Sequence, residues 1–307
     1  MQRDVQVLTK NQPQRHPEID SVRGGCFVDE MKNPSADGPI YVLGHSEDEL
    51  RRLTAQANFF GELTAGIFSK AGIGRGLRVL DLGCGAGDVT FLVAELVGPA
   101  GNVIGIDKSG QAIETARARA AAIGLTNVAF MQRELAEISL DEPVDAIVGR
   151  FILLYASDPA TLLRRVAIHL RPGGIVAFQE MDMTGVRSFP RAPLFEENRQ
   201  RVVETFRRGG VDTEMGLRLH STFVRAGLPA PEMLMGARVE SGSRPDGFEV
   251  FTETVRSLLP RMEEFGIATA AEVGVETLAQ RLQDEVAALG GVIVLPNLVG
   301  AWVRKPD

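Results

Sequence analysis

Three glycines at alternate positions, Gly83, Gly85 and Gly87, lie in the stretch VLDLGCGAGDVT, residues 79–90. Residues without a Cβ let the backbone turn tightly and let a ligand approach main-chain atoms. The residues that follow read as a helix, and a helix N-terminus aimed at that ligand favours an electron-rich or anionic group. A glycine-rich turn alone is weak evidence, because dinucleotide-binding proteins carry G-x-G-x-x-G in the same place. Here the last glycine of that pattern would fall at position 88, which is Asp88, and an acid, Asp81, precedes the glycines. Both features lean away from a dinucleotide site. A second candidate is Asp107, which closes the run Ile104-Gly105-Ile106-Asp107, 24 residues past Gly83. Alone it would read as a solvated turn residue. At that distance from the glycine turn, its carboxylate suits both hydroxyls of a ribose. A third candidate is FMQREL, residues 130–135, where Glu134 could accept from an adenine amine and Leu135 could pack on the ring.

The elements that must hold these residues alternate. Short apolar runs at 78–82, 102–106, 127–131, 144–148 and 174–179 read as strands, and 89–97, 111–123 and 159–170 read as helices. Continuous apolar strands imply that helices cover both faces, and their alternation with helices implies a doubly wound α/β sheet. Upstream, apolar residues recur at three- and four-residue steps from Leu50 to Ile67, after a capping-box pattern of Ser46 and Glu49. Past Glu180 the rhythm changes. Helices are expected at 195–208, 216–226, 246–264 and 270–289, a strand at 232–239, and the last sheet strand at 298–304. The expected organisation is an irregular arm over 1–40, a cofactor-binding core over 41–182, and the rest of the sheet over 183–307, with inserted helices forming a substrate lid.

The bulk numbers narrow the partners. A net charge of −7 and a pI near 5.3 argue against nucleic acid as the main partner. Two cysteines, Cys26 and Cys84, cannot build a disulfide framework, and no Cys/His cluster has zinc spacing, so no metal is expected. The polar first residues lack the apolar core of a signal peptide, and no stretch is apolar enough to span a bilayer, so a cytoplasmic protein is expected. A homodimer using the arm is a further expectation.

Taken together, VLDLGCGAG, GIDKS, FMQREL, VDAIVGRFILLY and LRPGGIVAFQE, in this order over residues 41–182, resemble class I S-adenosylmethionine-dependent methyltransferases. They look most like the ubiquinone/menaquinone-biosynthesis branch. The resemblance implies a mostly parallel seven-stranded Rossmann-like sheet and S-adenosylmethionine as cofactor. It implies that Asp81, Gly83 and Gly85 line the methionine part, that Asp107 holds the ribose, and that Lys108 flanks the adenine. Glu134 stands where the family usually has the Asp of a Gly-Asp pair, with Arg133 in place of the Gly. Gly149 and Arg150 fall where the family lines the cofactor near its sulfonium. An Arg beside a cationic sulfonium is unfavourable, so Arg150 is expected to point away or to bind the cofactor carboxylate or an anionic substrate.

Methyl transfer needs a base only if the acceptor must lose a proton, so no universal catalytic signature exists to find. Ligands in open α/β sheets sit beyond the carboxyl ends of the strands. That position nominates Glu180 and Asp182, in FQEMDM, as a base or as groups binding a cationic acceptor; the bland alternative is a solvated or capping acid. Tyr41 and His45 precede the helix expected to cover the site. Met181, Met183, Met215, Met233 and Met235 are first read as core packing, with a mild preference for an apolar or amphipathic small-molecule acceptor. Rival readings are an RNA or protein methyltransferase, an NAD-dependent oxidoreductase on a similar sheet, and an inactive fold that only binds a ligand or a partner.

Overall fold

The computed structural model describes residues 47–306, with side chains described from residue 59 onward except at Ala136. The chain runs α1 (Glu47–Ala71), β1 (Arg78–Leu82), α2 (Asp88–Val97), β2 (Asn102–Asp107), α3 (Gly110–Ala122), β3 (Val128–Gln132), β4 (Val144–Arg150), α4 (Pro159–Val166) and β5 (Leu170–Asp182). It continues with β6 (Arg187–Phe189), α5 (Pro193–Arg208), α6 (Met215–Arg225), β7 (Glu232–Gly236), β8 (Val239–Ser241), α7 (Asp246–Glu264), α8 (Ala270–Val273), α9 (Leu278–Ala288), β9 (Val292–Val294) and β10 (Asn297–Arg304).

Seven strands form one sheet in the order β3-β2-β1-β4-β5-β10-β7. The pairs from β3 to β5 are parallel, and β10 runs antiparallel between β5 and β7. The order steps outward in both directions from β1 and β4, so a crevice opens where these strands end. On one face, Phe68 of α1 and Val93 of α2 pack on Val79, Val103, Val148 and Ala177. On the other, Leu163 of α4 and Leu219 and Phe223 of α6 pack on Leu82, Ile147 and Phe178. That core continues without a break into Phe195 of α5, Phe251 and Val255 of α7 and Leu282 of α9. Each such buried side chain contributes roughly 1.5–3 kcal/mol. The inserted helices are therefore packed onto the sheet domain, with α7 against α1, α5 and α9.

The departures from expectation have local causes. The expected strand at 232–239 ends at Gly236, and its remainder pairs elsewhere: β8 joins β9 and β6 in a second, three-stranded antiparallel sheet. The expected helix at 270–289 divides at Gly274, whose φ of +58° leaves the helical region. Pro296 lies between β9 and β10, which belong to different sheets. β5 begins earlier than expected, because Leu170 pairs with Val144 across a bulge. The arm over 1–40 and the Ser46 cap lie outside the described residues.

Candidate active site

The glycine turn connects β1 to α2 and is shaped from two sides. Gly83 (φ +65°) faces Ile152, whose Cδ1 would clash with any added Cβ. Among the described residues nothing lies within 4 Å of Gly85 (φ +53°) in that direction, so its main chain borders open space there. The Gly85 N–H donates to Asp107 Oδ2 at 3.0 Å, and the Ser109 N–H donates to Oδ1 at 2.8 Å. Asp107 thus ties the turn to the tip of β2 and fixes its own orientation, while each carboxylate oxygen keeps a lone pair for a further donor. Asp81 is 1% exposed. Its Oδ2 accepts from Thr90 Oγ1 at 2.6 Å, and its Oδ1 has no partner among the described residues. Burial pushes its carboxyl from the ordinary 3.8 up to about 7, against the opposing pull of the Thr90 hydrogen bond and the Arg150 charge. Burial also raises the Cys84 thiol, consistent with a structural cysteine.

Gly149 pairs with Leu82 at the end of β4, which brings Arg150 alongside the turn. Arg150 Nη1 donates to Thr64 Oγ1 of α1 at 3.2 Å. The chain then bends through Phe151 (φ +56°), uncommon for a residue with a side chain. Glu180 holds this bend. Its Oε1 accepts the N–H groups of Ile152 (3.0 Å) and Leu153 (2.8 Å), and Oε2 accepts that of Leu154 (3.4 Å). Glu180 is fully buried, and burial pushes its carboxyl up to about 8 despite these bonds. The carboxylate nominated as a base is therefore engaged in shaping the loop. Asp182, the other nominee, accepts from Thr184 and from Asn297 Nδ2 at 2.7 Å, joining β5 to β10.

Asp81, Gly83, Gly85, Asp107, Gly149 and Arg150 therefore converge on the ends of β1, β2 and β4. Lys108 and Glu134 sit exposed at the ends of β2 and β3, with Leu135 half-buried beside them. Tyr41 and His45 lie outside the described residues. Thr64, Gln179 and Ile152 complete the site and were not singled out from sequence. Met183 and Met215 are core residues, whereas Met233 and Met235 are exposed on β7. Among the described residues no group of three or more His, Cys, Asp or Glu is placed to hold a metal, and no helix is long and apolar enough to cross a membrane.

The strand order, the antiparallel β10 and the glycine turn tied to an acid at the tip of β2 define a class I methyltransferase fold. A family model described as "Methyltransferase domain" matches residues 73–215, a little under half of the chain. The chain is 32% identical over 162 residues to the arsenite methyltransferase of Halobacterium salinarum, covering 52% of this chain and 40% of that protein. It is 33% identical over 123 residues to the demethylmenaquinone methyltransferase of Lactococcus lactis, covering 40% of this chain and 46% of that one. The matches thus span less than half of these relatives. The crystal structure of the YcgJ protein from Bacillus subtilis matches 80% of this chain and 99% of its own, with a TM-score of 0.51 and 18% identity, a likeness of fold.

Proposed function

We infer that the chain transfers a methyl group from S-adenosylmethionine to a small-molecule acceptor. The observation that carries this reading is the Asp107 carboxylate, pinned by the Gly85 and Ser109 N–H groups beside the open space at Gly85. In this reading Asp107 binds the ribose hydroxyls, Gly83 and Gly85 border the amino-acid part, and Asp81 supplies negative charge near a cationic ligand. Lys108, Glu134 and Leu135 flank the adenine, and Gly149 and Arg150 close the site from β4. The cofactor, when bound, supplies an activated methyl group for in-line displacement. The protein contributes alignment and electrostatics. Glu180 acts as a positioning residue for the 151–155 loop, and Tyr41 and His45 stand as candidate groups on the acceptor side. The relatives' names, arsenite and demethylmenaquinone methyltransferase, support a small acceptor. The net charge of −7 weighs against RNA.

The test uses S-adenosylmethionine with a deuterated methyl group, incubated with the protein and a metabolite extract of its source. A labelled small molecule in the mass spectrum is expected and would reveal the acceptor atom; label on protein or RNA instead would move the acceptor to a macromolecule. At the cofactor site, Asp107→Ala is expected to weaken S-adenosylhomocysteine binding at least tenfold, about 1.4 kcal/mol. Equal affinity for variant and wild type by calorimetry would remove the ribose assignment. Tight NADH binding with none for S-adenosylhomocysteine would replace the whole reading with an oxidoreductase.

A further inference from the structure

Arg150 is a cation beside a site that must hold another cation. Among the described residues its guanidinium makes one hydrogen bond, to Thr64 Oγ1 at 3.2 Å, although a guanidinium carries five N–H groups. The acids whose fields it feels do not serve as its counter-ion. Asp88 is paired with Arg119 at 2.7 Å. Asp81 is hydrogen-bonded to Thr90 and makes no direct ion pair with Arg150 among the described residues. The guanidinium also lies over the Phe151 ring, 5.7 Å from its centroid, but it has no direct ion pair among the described residues, and a shielded charge is normally paired with an opposite one.

A second polar side chain meets the same hydroxyl, as an acceptor. Gln179, on β5, is fully buried. Its Oε1 accepts from Thr64 Oγ1 at 2.8 Å, and among the described residues its Nε2 has no partner. Thr64 therefore links a guanidinium with free donors to an amide with a free donor, beneath α1 and next to the glycine turn. A buried N–H left without an acceptor is destabilising, and the feature that would satisfy both groups is an anionic acceptor of hydrogen bonds.

We propose that Arg150 and Gln179, joined through Thr64, form a receptor for a carboxylate. The planar guanidinium fork matches a carboxylate's two oxygens, and one negative charge matches the one positive charge of Arg150. The proposal rests on the methyltransferase reading and deepens it: a carboxylate between Arg150 and the sulfonium converts a repulsion into an alternating row of charges. Two sources carry that chemistry, the amino-acid carboxylate of the cofactor and a carboxylate on the acceptor.

Calorimetry on the full chain separates them, using S-adenosylhomocysteine and its decarboxylated analogue with wild type, Arg150→Met and Gln179→Leu. If the cofactor is the source, wild type binds S-adenosylhomocysteine at least tenfold more tightly than the analogue. Arg150→Met then brings the ratio near one, with Gln179→Leu lowering it by a smaller factor. If the acceptor is the source, the ratio does not respond to either variant. Benzoate then raises the melting temperature of wild type saturated with S-adenosylhomocysteine, and fails to raise that of the variants. An unresponsive ratio together with no benzoate effect overturns the receptor while leaving cofactor binding intact. Failure of wild type to bind either nucleoside overturns the methyltransferase reading as well. Gln179→Leu keeps the test decisive should Arg150→Met fail to fold.

Discussion

Glu180→Ala is expected to lower the stability of the fold by about 3–5 kcal/mol, and Glu180→Gln by about 1 kcal/mol or less. The difference follows from which oxygen does what. Oε1 alone serves Ile152 and Leu153 at 3.0 and 2.8 Å, and Oε2 serves Leu154 at the longer 3.4 Å. Glutamine keeps one carbonyl oxygen in the stronger position. Alanine removes both oxygens and leaves the buried N–H groups of Leu153 and Leu154 unmatched. The same loop carries Phe151 at φ +56°, a conformation that persists only when its surroundings impose it. Part of the loss is offset, because a carboxyl pushed up to about 8 is itself an unfavourable burial of charge. Urea melts of wild type and both variants give the comparison directly. An alanine variant within 1 kcal/mol of wild type would show that the loop does not depend on this carboxylate. Turnover supplies the second readout. Glu180→Gln keeps near-wild-type turnover if the residue positions the loop, whereas a strong fall with unchanged cofactor affinity would restore it as a base.

What could be read from the sequence, and what could not, follows the range of the interactions involved. The glycine turn, Asp81 and Asp107 were legible because their spacing is local: one turn, one helix and one strand carry the acid back beside the glycines. The parallel sheet was legible because its strands are continuous apolar runs. Arg150 was visible as an anomaly, but its surroundings were not, since Thr64 lies 86 residues away and meets Gln179 across 115. Glu180 looked catalytic because it ends a strand on the ligand side. Only the fold shows that the N–H groups of a loop 26 to 28 residues upstream reach it first. The second sheet was missed because its strands have three residues each, too few for a period of two to register.

Asp81 is expected to make stability and cofactor affinity respond to pH in opposite directions. Its carboxyl titrates near 7 in the folded chain against an ordinary 3.8. The folded state therefore binds the proton more tightly than the unfolded state. The stability this contributes is fully present below pH 3.8 and is lost as pH rises through 7, on the order of 4 kcal/mol across the range. Glu180 adds a loss of the same sign that continues toward pH 8. Binding has the reverse sign. The ammonium and sulfonium of S-adenosylmethionine favour an ionised Asp81, whose Oδ1 is otherwise without a partner. Between pH 5 and 7 the cofactor must displace a proton, so its affinity should rise with pH, by at most tenfold per unit, and level off above 7. Asp81→Asn keeps an oxygen for the Thr90 hydroxyl but cannot ionise. It is expected to bind the cofactor more weakly at pH 7.5, to show a flat affinity profile, and to retain only the Glu180 part of the stability slope. Calorimetry at pH 5.5, 6.5 and 7.5, in buffers of different ionisation enthalpy, counts the protons released. A slope that survives in Asp81→Asn would assign the titration to another group and leave Asp81 as a neutral partner of Thr90.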